Sequence, residues 1–127
     1  MIYAFDSSGQ KRRRKPRTAG AGSDRARARA FFCAGCVTRV CAESDLIPVA
    51  GKSQHRFVNP AGCAFEIACF GAAACTIEGE PTVEHTWFAD HAWSIANCRN
   101  CSRQLGWFFS GATSFYGLIL ARLIHGA

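Results

Sequence analysis

Two Cys-x-x-Cys knuckles, Cys33/Cys36 and Cys98/Cys101, stand 61 residues apart in a chain of 127. Two residues between thiolates let one tight turn aim both sulfurs at a single ion. Two such turns complete a tetrahedron of four sulfurs, closed to water and structural in type. Soft thiolates in that geometry favour zinc. A spacer this long exceeds that of a zinc ribbon, so the ion clamps the start of a domain to its last third and couples metal binding to folding. The remaining cysteines, Cys41, Cys63, Cys69 and Cys75, lack partner spacing and read as small buried hydrophobes.

Around the clamp the chain falls into two unequal parts. Residues 1–30 carry nine Lys and Arg against two acids, including "KRRRKPR" and "DRARARA". Nothing apolar recurs there with a helical or strand period, so a basic disordered tail is expected. Such a tail can contact polyanions or act as a nuclear address, which makes the expected location cytoplasmic or nuclear. Residues 31–127 carry six Lys and Arg against seven acids. The pI of about 9.1 therefore belongs to the tail, and a basic folded surface for nucleic acid is not expected. The start "MIYAFDSSGQ" lacks a long apolar stretch after a basic one, and no run of 18 apolar residues occurs, so neither a secretory leader nor a membrane span is expected. Free thiols suit a reducing compartment.

From Phe31 onward the pattern is short extended pieces with Gly-marked corners. "DLIPVAGKSQHRFVNPAG" reads as two extended pieces with turns at "AGKS" and "NPAG". "CAFEIACF" alternates as a half-buried strand, with Phe65, Ile67 and Cys69 on one face. "EGEPT" reads as a turn, "WSIANC" runs into the second knuckle, and "LGWFF" leads out of it. "FYGLILARLIHGA" is ambiguous: apolar residues 118, 119, 120, 123 and 124 allow a short helix, while β-branched and aromatic content favours a strand entering a short turn. The expected class is mainly β and mostly antiparallel. A domain under about 100 residues buries only part of its surface and gains from a metal staple.

All three tryptophans, Trp87, Trp93 and Trp107, fall within 21 residues around the second knuckle. They interleave with His85, Asp90 and His91 rather than with Leu or Val. Three indoles can wall a slot for a flat or compact ring, and an irregular loop such as "EHTW" can offer backbone groups to its polar edge. The bland alternative is that three tryptophans in a small domain are core.

The motifs "VNPAG" (58–62), "EHTWFADHAW" (84–93), "CRNC" (98–101), "LGW" (105–107) and "FYGL" (115–118) follow one another as in the CULT domain family. The chain over about residues 31–125 resembles that family, the thalidomide-binding domain type known from cereblon and from single-domain proteins. The resemblance implies a β-tent, two antiparallel sheets at a steep angle pinned by one structural Zn2+ on Cys33, Cys36, Cys98 and Cys101. It implies a non-enzymatic module whose tri-Trp cage binds a small-molecule cyclic imide or uracil-like ring, including cyclic imides at modified protein C-termini. By the same resemblance Trp87, Trp93 and Trp107 are the walls and Phe109 an adjoining aromatic. His85, Thr86 and Trp87 form the loop that meets the imide edge, Asn59 and Pro60 the rim, and Tyr116 an aromatic near the C-terminal strand. Asp90 and His91 stand where cereblon has Gly and Tyr, which brings a second protonatable imidazole to the rim. The tail offers no counterpart of a ligase adaptor-binding region, so no adaptor is implied. Two other readings are a basic-tailed nucleic-acid-binding zinc protein and an enzyme like the B-type methionine sulfoxide reductases. The latter needs an exposed, activated cysteine.

Overall fold

The computed structural model describes residues 29–126. The tail assigned to residues 1–30 lies almost wholly outside the described residues. Folded structure is already present at Ala30, which is fully buried at the start of the first strand.

Among the described residues nine strands follow in chain order: β1 (Ala30–Cys33), β2 (Arg39–Ala42), β3 (Gln54–Val58), β4 (Ala64–Phe70), β5 (Cys75–Thr82), β6 (Ala92–Cys98), β7 (Gln104–Ser110), β8 (Phe115–Ile119) and β9 (Leu123–His125). They form two antiparallel sheets, a small one ordered β2-β1-β9 and a large one ordered β3-β4-β8-β7-β6-β5. The mainly β, two-sheet architecture expected from the sequence is the one observed. No helix of the described residues is long and apolar enough to cross a membrane.

The hairpin β3–β4 shows how local sequence sets register. Asn59 and Pro60 open the connection, the Asn59 carbonyl accepts the Gly62 amide, and Gly62 takes φ +88° at no steric cost. Phe57 then pairs with Phe65, which puts two aromatic rings side by side on one face. The C-terminal pattern also follows expectation. β8 ends in one 3-10 turn (Leu120–Arg122), and β9 then crosses to pair with β1 in the other sheet.

Two sequence expectations are corrected here. "EGEPT" is not a turn between elements but a bulge inside β5, where the register jumps between the Glu78–Ile95 and Thr82–Trp93 pairs and Gly79 takes φ +92°. A bulge holds the extra residues without ending the ladder. The strict alternation of β4 also holds only in its first half. Ile67, Ala68, Cys69 and Phe70 are all buried, because the second half of the strand has a core on both sides.

Those two cores organise the molecule. On one face of the large sheet, Ala68, Phe70, Ala96, Cys98 and Leu118 pack with Phe31, Cys33, Val40 and Cys41 of the small sheet. On the other, Ile67, Cys69, Phe109, Phe115 and Ile119 pack with Phe88 and with the partly buried indoles. The sheet between them is tight. A Cβ at Gly117 would lie 2.9 Å from the Phe109 ring and 3.0 Å from Ile67, so β8 has no room there for a side chain.

Candidate functional site

The four knuckle sulfurs lie within 4.8 Å of one another. The Cys33–Cys101 and Cys36–Cys98 sulfur pairs are both 3.7 Å apart. A regular tetrahedron with metal–sulfur bonds of 2.3 Å has edges of about 3.8 Å, so the four sulfurs can hold one metal ion. Each knuckle is closed by its own backbone. The Val37 amide donates to the Cys33 carbonyl and the Ser102 amide to the Cys98 carbonyl, with Val37 and Ser102 in the left-handed region. Hydrogen bonding from the Thr38 and Asn100 side chains holds the Cys36 thiol down to about 6, which suits a ligand that must bind as thiolate.

On the opposite face of the large sheet, at the other end of β6 and β7, a cavity of about 300 Å³ lies among Asn59, Pro60, His85, Trp87, Trp93, Trp107 and Phe109. Each wall comes from a different piece of chain. Trp93 and Phe109 are cross-strand partners on β6 and β7, and Trp107 lies two residues along β7, on the same face. Trp87 comes from the connection between β5 and β6 and meets Trp107 edge to face, with ring centres 4.7 Å apart. Asn59 and Pro60 come from the β3–β4 turn.

Besides the Trp87–Trp107 contact, the indoles are held from behind. Phe57 stacks on Trp87 with ring centres 4.9 Å apart and planes 12° from parallel. Phe65 meets Trp107 edge-on at 5.3 Å. Phe88, next to Trp87, is buried and makes edge contacts with His55, Phe57, Phe109 and Phe115 at 4.9–5.2 Å. It pins the loop that carries Trp87. His55, buried on β3, has Nε2 2.9 Å from both the Val49 and Lys52 carbonyl oxygens. Nε2 therefore carries a proton and donates it to them. Trp93 Nε1 donates to the Glu84 carbonyl at 2.7 Å, tying the start of the loop to β6.

The loop's backbone is left available. His85 takes a left-handed conformation, φ 57°, uncommon for a residue with a Cβ. Among the described residues neither its carbonyl nor the Trp87 amide has an internal hydrogen-bond partner. Asn59 is oriented by its own turn, since its Oδ1 accepts the Cys63 amide at 2.9 Å and leaves the side-chain NH2 as the unpaired donor. Among the described residues no acid, Lys or Arg lines the cavity.

Of the nine ligand-site residues named from the sequence, seven are brought together around this cavity and two are not. The Thr86 hydroxyl turns back to donate to the Phe88 carbonyl at 3.3 Å. Tyr116 is opposite Phe108 in the β7–β8 register and packs against its ring at 4.9 Å. Trp107 and Phe109 flank Phe108 and point to the other face, so Tyr116 belongs to the core on the metal side. Asp90 and His91 do not line the cavity. The sequence reading missed Phe57, Phe65, Phe88 and His55. A signal was present for the first two, since closing the hairpin with a five-residue loop over 59–63, "NPAGC", makes Phe57 and Phe65 partners.

The other cysteines divide. Cys41, Cys69 and Cys75 are buried as expected, and burial pushes their thiols up to about 12, 11 and 11. That is the reverse of what a reductase nucleophile needs. Cys63 departs from expectation: it is exposed, because the hairpin turn uses its amide and carbonyl, both bonded to Asn59, and leaves the side chain in solvent.

No family model matches the chain. Among curated relatives it is similar to protein cereblon of Danio rerio, 36% identical over 75 residues, covering 54% of this chain and 17% of that protein. It is likewise similar to protein cereblon of Gallus gallus, 35% identical over 75 residues, with the same coverage. For Drosophila persimilis the figure is 29% over 98 residues, 69% of this chain and 16% of the relative. The chain spans about one-sixth of the length of these relatives. The similarity to cereblon, the two antiparallel sheets and the four-cysteine cluster are together consistent with a cereblon-like CULT domain in the described part of the chain.

Proposed function

We propose that this domain is a non-enzymatic binding module that holds a cyclic imide or uracil-like ring among Trp87, Trp93 and Trp107. The observation that carries this reading is the space of about 300 Å³ that those three indoles line together with Asn59, Pro60, His85 and Phe109, each indole braced from outside the space. An uncharged aromatic slot of this size suits a small flat neutral ring. An imide presents acceptor, donor, acceptor along one edge. The His85 carbonyl, the Trp87 amide and a ring N–H of His85 are complementary in kind. A lactam lacking one carbonyl would leave a buried donor unpaired, at about 1–3 kcal/mol, which is enough to discriminate. Cyclic imides at damaged protein C-termini present the same edge and belong to the same ligand class.

For the four-cysteine cluster we propose one structural zinc ion, held by Cys33, Cys36, Cys98 and Cys101. The sulfur separations fit zinc–thiolate bond lengths, and an all-thiolate tetrahedron is the donor set zinc prefers. The ion's part is to fix the two knuckles to each other. The cavity is remote from it, since Trp93 and Cys98 are five residues apart on one strand, about 17 Å.

Titration of the zinc-loaded protein with uracil and with glutarimide, followed by tryptophan quenching and calorimetry, tests the reading. Saturable binding is expected for both ligands, with loss of binding in Trp107→Ala. A zinc-loaded, folded protein that binds neither ring ends the proposal, as does a Trp107→Ala variant with undiminished affinity.

A further inference from the structure

The loop that carries Trp87 is tied to the domain at both ends. The Trp93–Glu84 bond secures its start, and His91 secures its end. His91 Nδ1 lies 2.8 Å from the Ala89 carbonyl oxygen, within the loop. Its Nε2 lies 3.1 Å from the Thr113 carbonyl oxygen, 22 residues away in the β7–β8 connection. Both partners are oxygens that only accept. A neutral imidazole has one N–H, so it satisfies one carbonyl and turns a lone pair toward the other; the imidazolium donates to both.

The ring is fitted into this position. It packs edge-on against Phe115 at 5.4 Å and Phe88 at 6.4 Å. Gly111 makes the approach possible, since a Cβ there would lie 2.6 Å from the Asp90 carbonyl oxygen and 2.9 Å from the His91 ring. In the two segments that meet here, residues 86–92 and 110–115, Asp90 is the only other titratable side chain. The other groups facing the ring are Phe88 and Phe115.

We propose that His91 is a proton-operated clamp on the ligand cavity. The imidazolium bridges the Trp87 loop to the β7–β8 connection and holds the loop in its binding conformation. The neutral ring gives up one of the two ties. Affinity for the ring ligand therefore falls as pH rises through about 5 to 8, the range in which imidazoles change charge. His91 is a positioning residue, acting on the ligand only through the loop. The statement about affinity rests on the cavity binding a cyclic imide or uracil-like ring.

The full zinc-loaded chain is titrated with uracil at about pH 5.5 and about pH 8, two points that bracket the imidazole range. Affinity is expected to be about three- to tenfold weaker at the higher pH, the scale of one hydrogen bond. His85 also lines the cavity, so the effect is assigned with His91→Phe, which keeps the ring packing and removes both donors. That variant should bind weakly at both pH values, with most of the difference gone. Gly111→Ala, which pries the two segments apart while keeping His91, should behave alike. A His91→Phe profile that matches wild type overturns the clamp.

A ligand-free readout separates this proposal from the binding reading. Ring-nitrogen NMR should find both His91 nitrogens protonated at the lower pH. The Trp87 indole signal should broaden or shift at the higher pH and in His91→Phe. A single ring proton at the lower pH, or a Trp87 signal indifferent to both changes, overturns the clamp. If those signals behave as expected while no uracil binds, the binding reading fails and the clamp stands.

Discussion

At the scale of single residues, the cavity exists because other aromatics support the indoles from outside. Trp87 has Phe57 flat against it, and Trp107 has Phe65 at its edge. Each such aromatic pair contributes about 0.5–1.5 kcal/mol beyond the area it buries. Phe57→Ala should thus weaken uracil binding up to about tenfold, a factor that corresponds to about 1.4 kcal/mol, although Phe57 does not line the cavity. Tyr116→Phe makes the contrasting case. Its ring faces the metal-side core with Phe108, so the substitution should leave uracil affinity within about twofold, well under one hydrogen bond. Calorimetry on the two variants decides between this arrangement and one in which Tyr116 touches the ligand. The resemblance offered Tyr116 as a ligand-site aromatic near the C-terminal strand; its side of the sheet depends on a register that the sequence does not print.

At the scale of elements, β6, β7 and β8 set the cavity floor through their pairing. Trp107 lies opposite Gly117, and Phe109 lies opposite Phe115. Because Gly117 has no side chain, the Phe109 ring can lie over it. Gly117→Ala would push Phe109 or Ile67 aside, a strain of about 1–3 kcal/mol, and Phe109 moves at the cavity's expense. The expected result is a folded protein with a lower melting temperature and weaker uracil binding, read by thermal denaturation and calorimetry. Unchanged affinity would show that the floor is not where Phe109 places it. The element-level reading from sequence was good for "WSIANC" and "LGWFF", which run into and out of the second knuckle as strands, and the lean to a strand for "FYGLILARLIHGA" also matches β8. The reading failed at "EGEPT", because Gly and Pro in a bulge resemble Gly and Pro in a turn. Only the partner strand β6, which continues through Trp93, distinguishes the two.

At the scale of the whole molecule, the four-cysteine cluster and the cavity sit on opposite faces of one sheet, in separate cores. The cluster joins the β1–β2 connection to the β6–β7 connection, so its loss unties the two sheets from each other. Structural zinc in small zinc-binding peptides contributes about 10–16 kcal/mol, comparable with the whole stability of a typical domain, about 5–15 kcal/mol. Chelation should therefore unfold the protein cooperatively, with the near-ultraviolet tryptophan signal lost in the same transition as the β-sheet signal. A cavity that still binds uracil after complete metal removal would contradict this coupling. Alkaline pH acts on the same cores by another route. Burial raises the Cys69 thiol to about 11 and, with the Asp45 charge second, the Cys41 thiol to about 12, from an ordinary value of 9.0. The folded state then holds these protons more tightly than the unfolded chain. Their contribution is complete below about pH 9 and declines as pH rises through 11 to 12. Denaturant midpoints across that range should fall less steeply in Cys69→Ala than in the wild type.

The sequence by itself determined the fold class, and it singled out the four cysteines that come together and the three indoles that line the cavity. Those properties are written in local terms: two residues between thiolates, alternation along a strand, indoles around one knuckle. The tertiary structure alone decided which side chains share a face and which braces stand behind the indoles, and it placed His91 against a carbonyl 22 residues away. The physical reason is that a strand's side chains alternate, so a single bulge or a one-residue shift of register sends every later side chain to the other face. Faces are therefore settled by pairing between distant strands, and the space between the three indoles is a product of that pairing.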